Sequence, residues 1–106
     1  VVVSSAIGAV PFLLKDKVNG YIYEDGLIDK AYQKVKVLIE NNELRSKVSI
    51  NAYETMKDIW NPKIAAERLL QLVNGIMRHS HDELYDEGPC SLAPIIKNDW
   101  FEIKDK

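Results

Sequence analysis

Val1-Val2-Val3-Ser4-Ser5-Ala6-Ile7-Gly8-Ala9-Val10-Pro11 opens the chain, and Asn19-Gly20-Tyr21-Ile22-Tyr23 follows shortly after. The three valines form a non-alternating β-branched run. Such a run suits a strand covered on both faces, as in a parallel sheet, better than a half-exposed hairpin strand. The small residues from Ser4 to Ala9 let the backbone turn sharply at the strand's C-terminal end, where ligands collect in open α/β sheets. Pro11 suits the first turn of a helix, since its missing N–H would be unpaired there anyway, with Phe12, Leu13 and Leu14 as apolar anchors. Lys15-Asp16-Lys17 reads as a polar, exposed link. Asn19-Gly20 signals a turn, and Tyr21-Ile22-Tyr23 a second strand that Asp25-Gly26 ends. Two short strands joined by a short crossover make the class α/β, and most of their sheet is expected to lie outside this chain.

Three helical patterns follow. Leu27/Ile28, Ala31, Val35 and Leu38/Ile39 recur at three and four, with Asp29, Lys30, Gln33, Lys34 and Lys36 mostly opposite. Asn41-Asn42 breaks this helix, and Asn42 is the expected cap of the next, whose stripe is Leu44, Val48, Ala52, Met56 and Ile59. Asn61-Pro62 starts a third, with Asn61 as N-cap and Pro62 at the first helical position. Ala65, Leu69, Leu72/Val73 and Ile76 give it a broad apolar face that should fade near Arg78. From His79 to Lys106 the pattern changes. Gly88-Pro89-Cys90 and Ala93-Pro94 break any helix, and Ile95-Ile96 and Trp100-Phe101 are isolated apolar pairs, so 1–78 reads as one domain portion and 79–106 as an extended, docking tail.

With 106 residues, 46% of them hydrophobic and 28% charged, the chain is globular in composition rather than disordered. A net charge of -2 carries no electrostatic footprint for nucleic acid. The single cysteine, Cys90, excludes an intrachain disulfide and fits a reducing compartment. No apolar run reaches the length of a membrane span, and the opening residues lack the charged start of a signal peptide. Because it begins inside a β-branched run without a methionine, the chain is expected to continue on its N-terminal side.

Catalytic chemistry is sparse. His79 and His81 beside Asp82 and Glu83 have a spacing that two metal ligands could use, but no third ligand follows, and a solvated loop is the better reading. Cys90 lacks a matched base and reads as a buried thiol. The carboxylates Asp82, Glu83, Asp86 and Glu87 read as charged surface. Gly8 is a single glycine rather than a dinucleotide-binding fingerprint. Ser4 and Ser5 stand at a strand end, where a hydroxyl can meet a ligand oxygen or satisfy the turn's own backbone. Tyr21, Tyr23, Trp60 and Trp100 are too dispersed for a stacking platform, so most should be packing residues.

In order and spacing these parts resemble a known family. Residues 1–23, V-V-V-S-S-A-I-G-A-V-P-F-L-L-K-D-K-V-N-G-Y-I-Y, are similar to the segment of retaining GT-B glycosyltransferases that usually reads P-V-[IV]-[AS]-[ST]-x-x-G-G-x-P-E-[LI]-[IV]-x-[DE]-G-x-N-G-[LY]-L-[VF]. Ile28-Asp29-Lys30-Ala31 and the stretch Leu38 to Val48 resemble the helical pattern that follows it, D-x-x-x-[LI]-A-x-x-[IL]-x-x-L-[LI]-x-[ND]-x-x-L-R-x-x-[LM]. Residues 59–70, Ile59-Trp60-Asn61-Pro62 onward, resemble the next helix entry, so the likeness covers roughly residues 1–77. Ala9 replaces the second glycine of the loop, and Phe12 replaces its glutamate.

The resemblance implies a partial Rossmann-like fragment, the C-terminal portion of a nucleotide-sugar-binding domain. The parent enzyme would move a sugar from a nucleotide-sugar donor to a hydroxyl of a carbohydrate or lipid-linked acceptor. Ser5 and Gly8 would lie beside the donor, and no cofactor is implied. A Glu-x7-Glu segment and an Arg/Lys pair, which hold the donor's ribose and diphosphate, would precede Val1, and with them the positive groups that neutralise the leaving diphosphate, so the chain alone is expected to be inactive. The expected compartment is the cytoplasm, with peripheral membrane contact left open, and an exposed sheet edge offers a route to homo-oligomers. The alternative is a small, non-catalytic α/β interaction module.

Overall fold

Tyr21 decides where the two strands meet. In a computed structural model, which describes residues 1–24, 26–80 and 85–93, β1 (Val3–Ser5) and β2 (Tyr21–Tyr23) pair in parallel, Val3 opposite Tyr21 and Ser5 opposite Tyr23. The Tyr21 N–H donates to the Val2 carbonyl at 2.9 Å. This register shifts the first strand two residues along from the start of the valine run, so that only Val3 of the run belongs to it. Val1 and Val2 are exposed and precede β1, while Ser4 and Ser5 belong to the strand rather than to the turn. All three β1 residues are only half-buried, so the expected two-sided cover is absent among the described residues.

Between the strands, α1 (Val10–Leu13) is a single turn with Pro11 in its first positions. α2 (Ile28–Glu40), α3 (Asn42–Asp58) and α4 (Pro62–Met77) follow. The fold is therefore α/β, two parallel strands with helices. Among the described residues the chain divides into two compact units, the first made by Val1–Tyr53 and the second beginning at Glu54.

In the first unit the buried hydrophobic side chains are Tyr21, Leu38 and Val48, one from each of β2, α2 and α3, and half-buried Val3 and Leu44 pack against them. Val48 is 1% exposed. The core-facing line of α2 differs from its apolar spacing: Ala31, Lys34 and Leu38 turn inward, while Ile28, Val35 and Ile39 are exposed. Lys34 takes an inner place because the Tyr21 ring and the Asp16 carboxylate both attract its ammonium, which lies 5.5 Å from the ring centroid.

The break between α2 and α3 is capped one residue earlier than the sequence suggests. The Leu44 N–H donates to Asn41 Oδ1 at 2.9 Å, whereas Asn42 accepts from Arg45 Nη2. Arg45 Nη1 also donates to the carbonyls of Leu38 and Ile39, tying off the last turn of α2.

In the second unit Asn61 is the N-cap of α4 as its sequence position requires. Its backbone is extended (φ -128, ψ 160), its Oδ1 accepts the Ile64 N–H at 3.0 Å, and Pro62 follows. The inner line of α4 is Ile64, Ala65, Arg68, Leu72 and Gly75, and Leu69, Val73 and Ile76 are exposed. Arg68 is drawn inward by the segment after the helix. Its guanidinium lies 3.8 Å from the Tyr85 ring centroid, and Nη1 donates to the carbonyls of Glu87 and Pro89. The described part of the expected extended tail is thus a folded loop with a Tyr85–Ser91 bridge and a buried Gly88. Ile95-Ile96 and Trp100-Phe101 lie outside the described residues.

Helix α4 ends as expected near Arg78. The His79 N–H donates to the Ile76 carbonyl and the Ser80 N–H to the Gly75 carbonyl, a Schellman arrangement with His79 in the left-handed region at φ 53. Glycine adopts that conformation without the Cβ conflict. His79→Gly is therefore expected to raise unfolding stability by about 0.5–1 kcal/mol, read as a higher urea midpoint. Asn61→Ala, which removes the cap, should lower it by about 1 kcal/mol.

Candidate functional site

In a parallel pair the C-terminal ends of both strands emerge at one edge. Ser5 stands opposite Tyr23 there, and the loop Ala6–Ala9 leaves from the same edge. That loop closes by two short contacts, the Ile7 N–H to the Ser5 carbonyl at 2.9 Å and the Val10 N–H to the Ile7 carbonyl at 3.2 Å. Gly8 sits between them at φ +59, exposed, with nothing within 4 Å of where a Cβ would lie. The loop therefore needs glycine for its backbone and leaves open space above it. The Ser4 hydroxyl is committed to the neighbouring Ser5 carbonyl at 3.2 Å. The half-buried Ser5 makes no side-chain hydrogen bond to another described residue. Of the two serines, Ser4 is the one whose hydroxyl is engaged with the turn's backbone.

A second constellation, read in the sequence only as a polar link, lies at the other end of this crossover. Asp16 Oδ1 accepts the Ile22 N–H at 2.8 Å, and both carboxylate oxygens pair with Lys34 Nζ at 3.1 Å. Burial alone would raise this carboxyl. The Ile22 hydrogen bond, the hydrogen bond and charge of Lys34, and the charge of Lys17 outweigh it and hold Asp16 below the ordinary carboxylate value. Asn19, 4% exposed, lies beside it. Its Oδ1 accepts the Lys15 N–H at 2.7 Å, and its Nδ2 donates to the Leu13 carbonyl at 3.1 Å. Asn51 on α3 donates to the Val18 carbonyl at 2.8 Å, so the turn is also held from the helical side. The sequence signal for these roles was the Asp-x-x-Asn-Gly spacing, which a reading of Asn-Gly as a simple turn passes over.

The remaining candidates stand apart. His79 serves the end of α4, and His81, Asp82 and Glu83 lie outside the described residues. Among the described residues no three His, Cys, Asp or Glu side chains cluster closely enough to hold a metal. Cys90 is half-buried rather than buried, and it occupies a left-handed turn position at φ 61 within the loop gripped by Arg68. Tyr21 is a core residue whose ring receives Lys34. Trp60 is half-buried, and Trp100 lies outside the described residues. No helix among the described residues is long and apolar enough to cross a membrane.

No protein-family model, curated protein or solved structure matched this chain in the three comparisons made.

A lowered folded value means that Asp16 adds stability above the ordinary carboxylate range, and that this stability is lost as pH falls through the lowered value. The unfolding free energy of Asp16→Asn, read from urea curves, should therefore lie below that of the wild type by a constant amount, up to about 1 kcal/mol for a solvent-screened pair, down to about pH 5. The gap should close below about pH 4. A gap that persists unchanged to pH 2 would show that the carboxylate charge contributes nothing.

Proposed function

We propose that this chain is the C-terminal portion of the nucleotide-sugar-binding domain of a retaining GT-B glycosyltransferase, with Ser5 and Gly8 on the rim of the donor site. The observation that carries the reading is a coincidence between the family's pattern and what the backbone demands. Where the pattern has its first loop glycine, Gly8 is at positive φ. Lys17 stands where the pattern has the glycine after the acidic residue, and it too is left-handed, at φ 66. A Cβ on Gly20 would lie 2.9 Å from Leu14 Cδ2 and 3.2 Å from the Val2 carbonyl oxygen, so no side chain fits there without displacing them. The acidic and asparagine positions of the pattern are Asp16 and Asn19, the residues that brace the crossover. Ala9 is right-handed at φ -79, so the missing second glycine is not needed for this backbone. The arginine of the helical pattern is Arg45, which caps α2.

On this reading the Ser5 hydroxyl donates to an oxygen of the donor, and the bare Gly8 backbone lets the nucleotide-sugar approach closely. The cationic groups that stabilise the leaving diphosphate belong to the upstream part of the enzyme. A non-catalytic interaction module is the second reading, favoured by the exposed apolar side chains of α2 and α4.

The test is a thermal-shift screen of the intact encoded protein with UDP-, GDP- and ADP-sugars. One donor class should raise the melting temperature, and Ser5→Ala should reduce that rise by an amount equivalent to about 1 kcal/mol of binding. No shift with any donor, together with an upstream sequence lacking the Glu-x7-Glu segment, would exclude the enzyme and leave the interaction module. Separately, Lys17→Gly should stabilise the chain by about 0.5–1 kcal/mol in urea unfolding, because it relieves a left-handed side-chain residue.

A further inference from the structure

Helix α2 carries a second line of side chains beside its core-facing one. Ile28, Tyr32, Val35 and Ile39 recur at steps of four, three and four, the spacing that holds apolar residues on one narrow helical seam. They are exposed, Ile28 at 78%, Tyr32 at 66% and Ile39 at 68%, while Leu38 on the adjoining side is buried. Along the edge of the seam away from Leu38 stand Asp29 and Lys36, seven residues apart and opposite in sign. Lys36 reaches Glu40 only at 3.8 Å across an exposed surface, a contact worth a few tenths of a kcal/mol at most.

We propose that this seam is a self-association surface, and that its occupant is α2 of a second copy of the chain lying antiparallel to it. In that arrangement Ile28 meets the partner's Ile39, and Tyr32 meets the partner's Val35. The two-fold axis repeats each contact. Asp29 then faces the partner's Lys36 on one side of the axis, and Lys36 faces the partner's Asp29 on the other. A parallel two-fold pairing would turn this edge of each helix away from its counterpart, so Asp29 and Lys36 would find no opposite charge there. The apolar spacing and the order of charges are thus complementary to themselves, and only in the antiparallel sense. This selects a second copy over an unrelated chain. The surface is distinct from the open edge of the two-stranded sheet, and it does not depend on the glycosyltransferase reading.

Four side chains from each copy make a small interface, below the ~1,200 Å² at which stable complexes begin, so the dimer should be weak, with a Kd on the order of 100 μM. Sedimentation equilibrium of the 106-residue chain tests this, with far-UV circular dichroism to verify that each variant keeps its helices. The wild type should pass from monomer to dimer near that concentration, and Tyr32→Glu should remain monomeric. Asp29→Lys and Lys36→Asp should each weaken self-association about tenfold, because each turns both flanking pairs repulsive. Mixing the two single variants should recover it, and so should placing both changes in one chain. A wild type that stays monomeric well above this concentration overturns the proposal. So does a folded Tyr32→Glu chain that dimerises normally, or a failure of the in-chain double swap to recover association.

Discussion

Parallel strands cannot be joined by a tight turn. They need a crossover, usually of a dozen or more residues with a full helix in it. Here residues 6–20 make that crossover with one helical turn, and the buried Asn19 amide carries the return. It replaces the hydrogen bonds a longer helix would have made, holding the Leu13 carbonyl and the Lys15 N–H at once. Gly20 can then pass close under Leu14, and Tyr21 arrives in register with Val3. The core follows from that register, because the Tyr21 ring is one of its three buried hydrophobic side chains. A buried amide left with unmet hydrogen bonds would cost about 1–3 kcal/mol, a large share of what so small a core supplies.

Charge then positions the first helix against the strands. Asp16 is anchored to β2 through the Ile22 N–H and draws Lys34 to the inner side of α2. With Lys34 inside, the apolar line of α2 rotates outward, and residues that a periodicity argument would bury become surface. The inner place of Lys34 and the exposure of Ile28, Val35 and Ile39 are two aspects of one helix rotation. Asp16 touches both β2 and α2 and so fixes one point of that arrangement.

How much of this was legible in the chain depends on whether local chemistry or a distant partner decided each feature. β2, the Asn61 cap, Pro62 at the start of α4 and the end of that helix near Arg78 were readable, because each rests on neighbours within a few residues. β1 was displaced by two residues because its register belongs to Tyr21, far along the chain. The inner lines of α2 and α4 were misjudged for one reason in both. A long cation, Lys34 or Arg68, took an inner place by meeting a ring and oxygen acceptors from another segment, which helical periodicity does not encode. At the candidate site Ser5 and Gly8 could be named from the strand–loop pattern. Asp16 and Asn19 could not, since their partners Ile22, Lys34 and Leu13 become visible only once the crossover has closed.

Arg68 meets the loop after α4 through the Tyr85 ring and through two main-chain oxygens, those of Glu87 and Pro89. A carbonyl is the same on every residue. These two contacts therefore do not depend on which side chains stand at 87 and 89, but the docking constrains two neighbours: the Tyr85 ring meets the guanidinium, and a Cβ on Gly88 would lie 2.7 Å from Arg68 Nη1. A loop anchored in this way is held to an aromatic ring and a bare backbone at two fixed places, wherever else its surface chemistry changes.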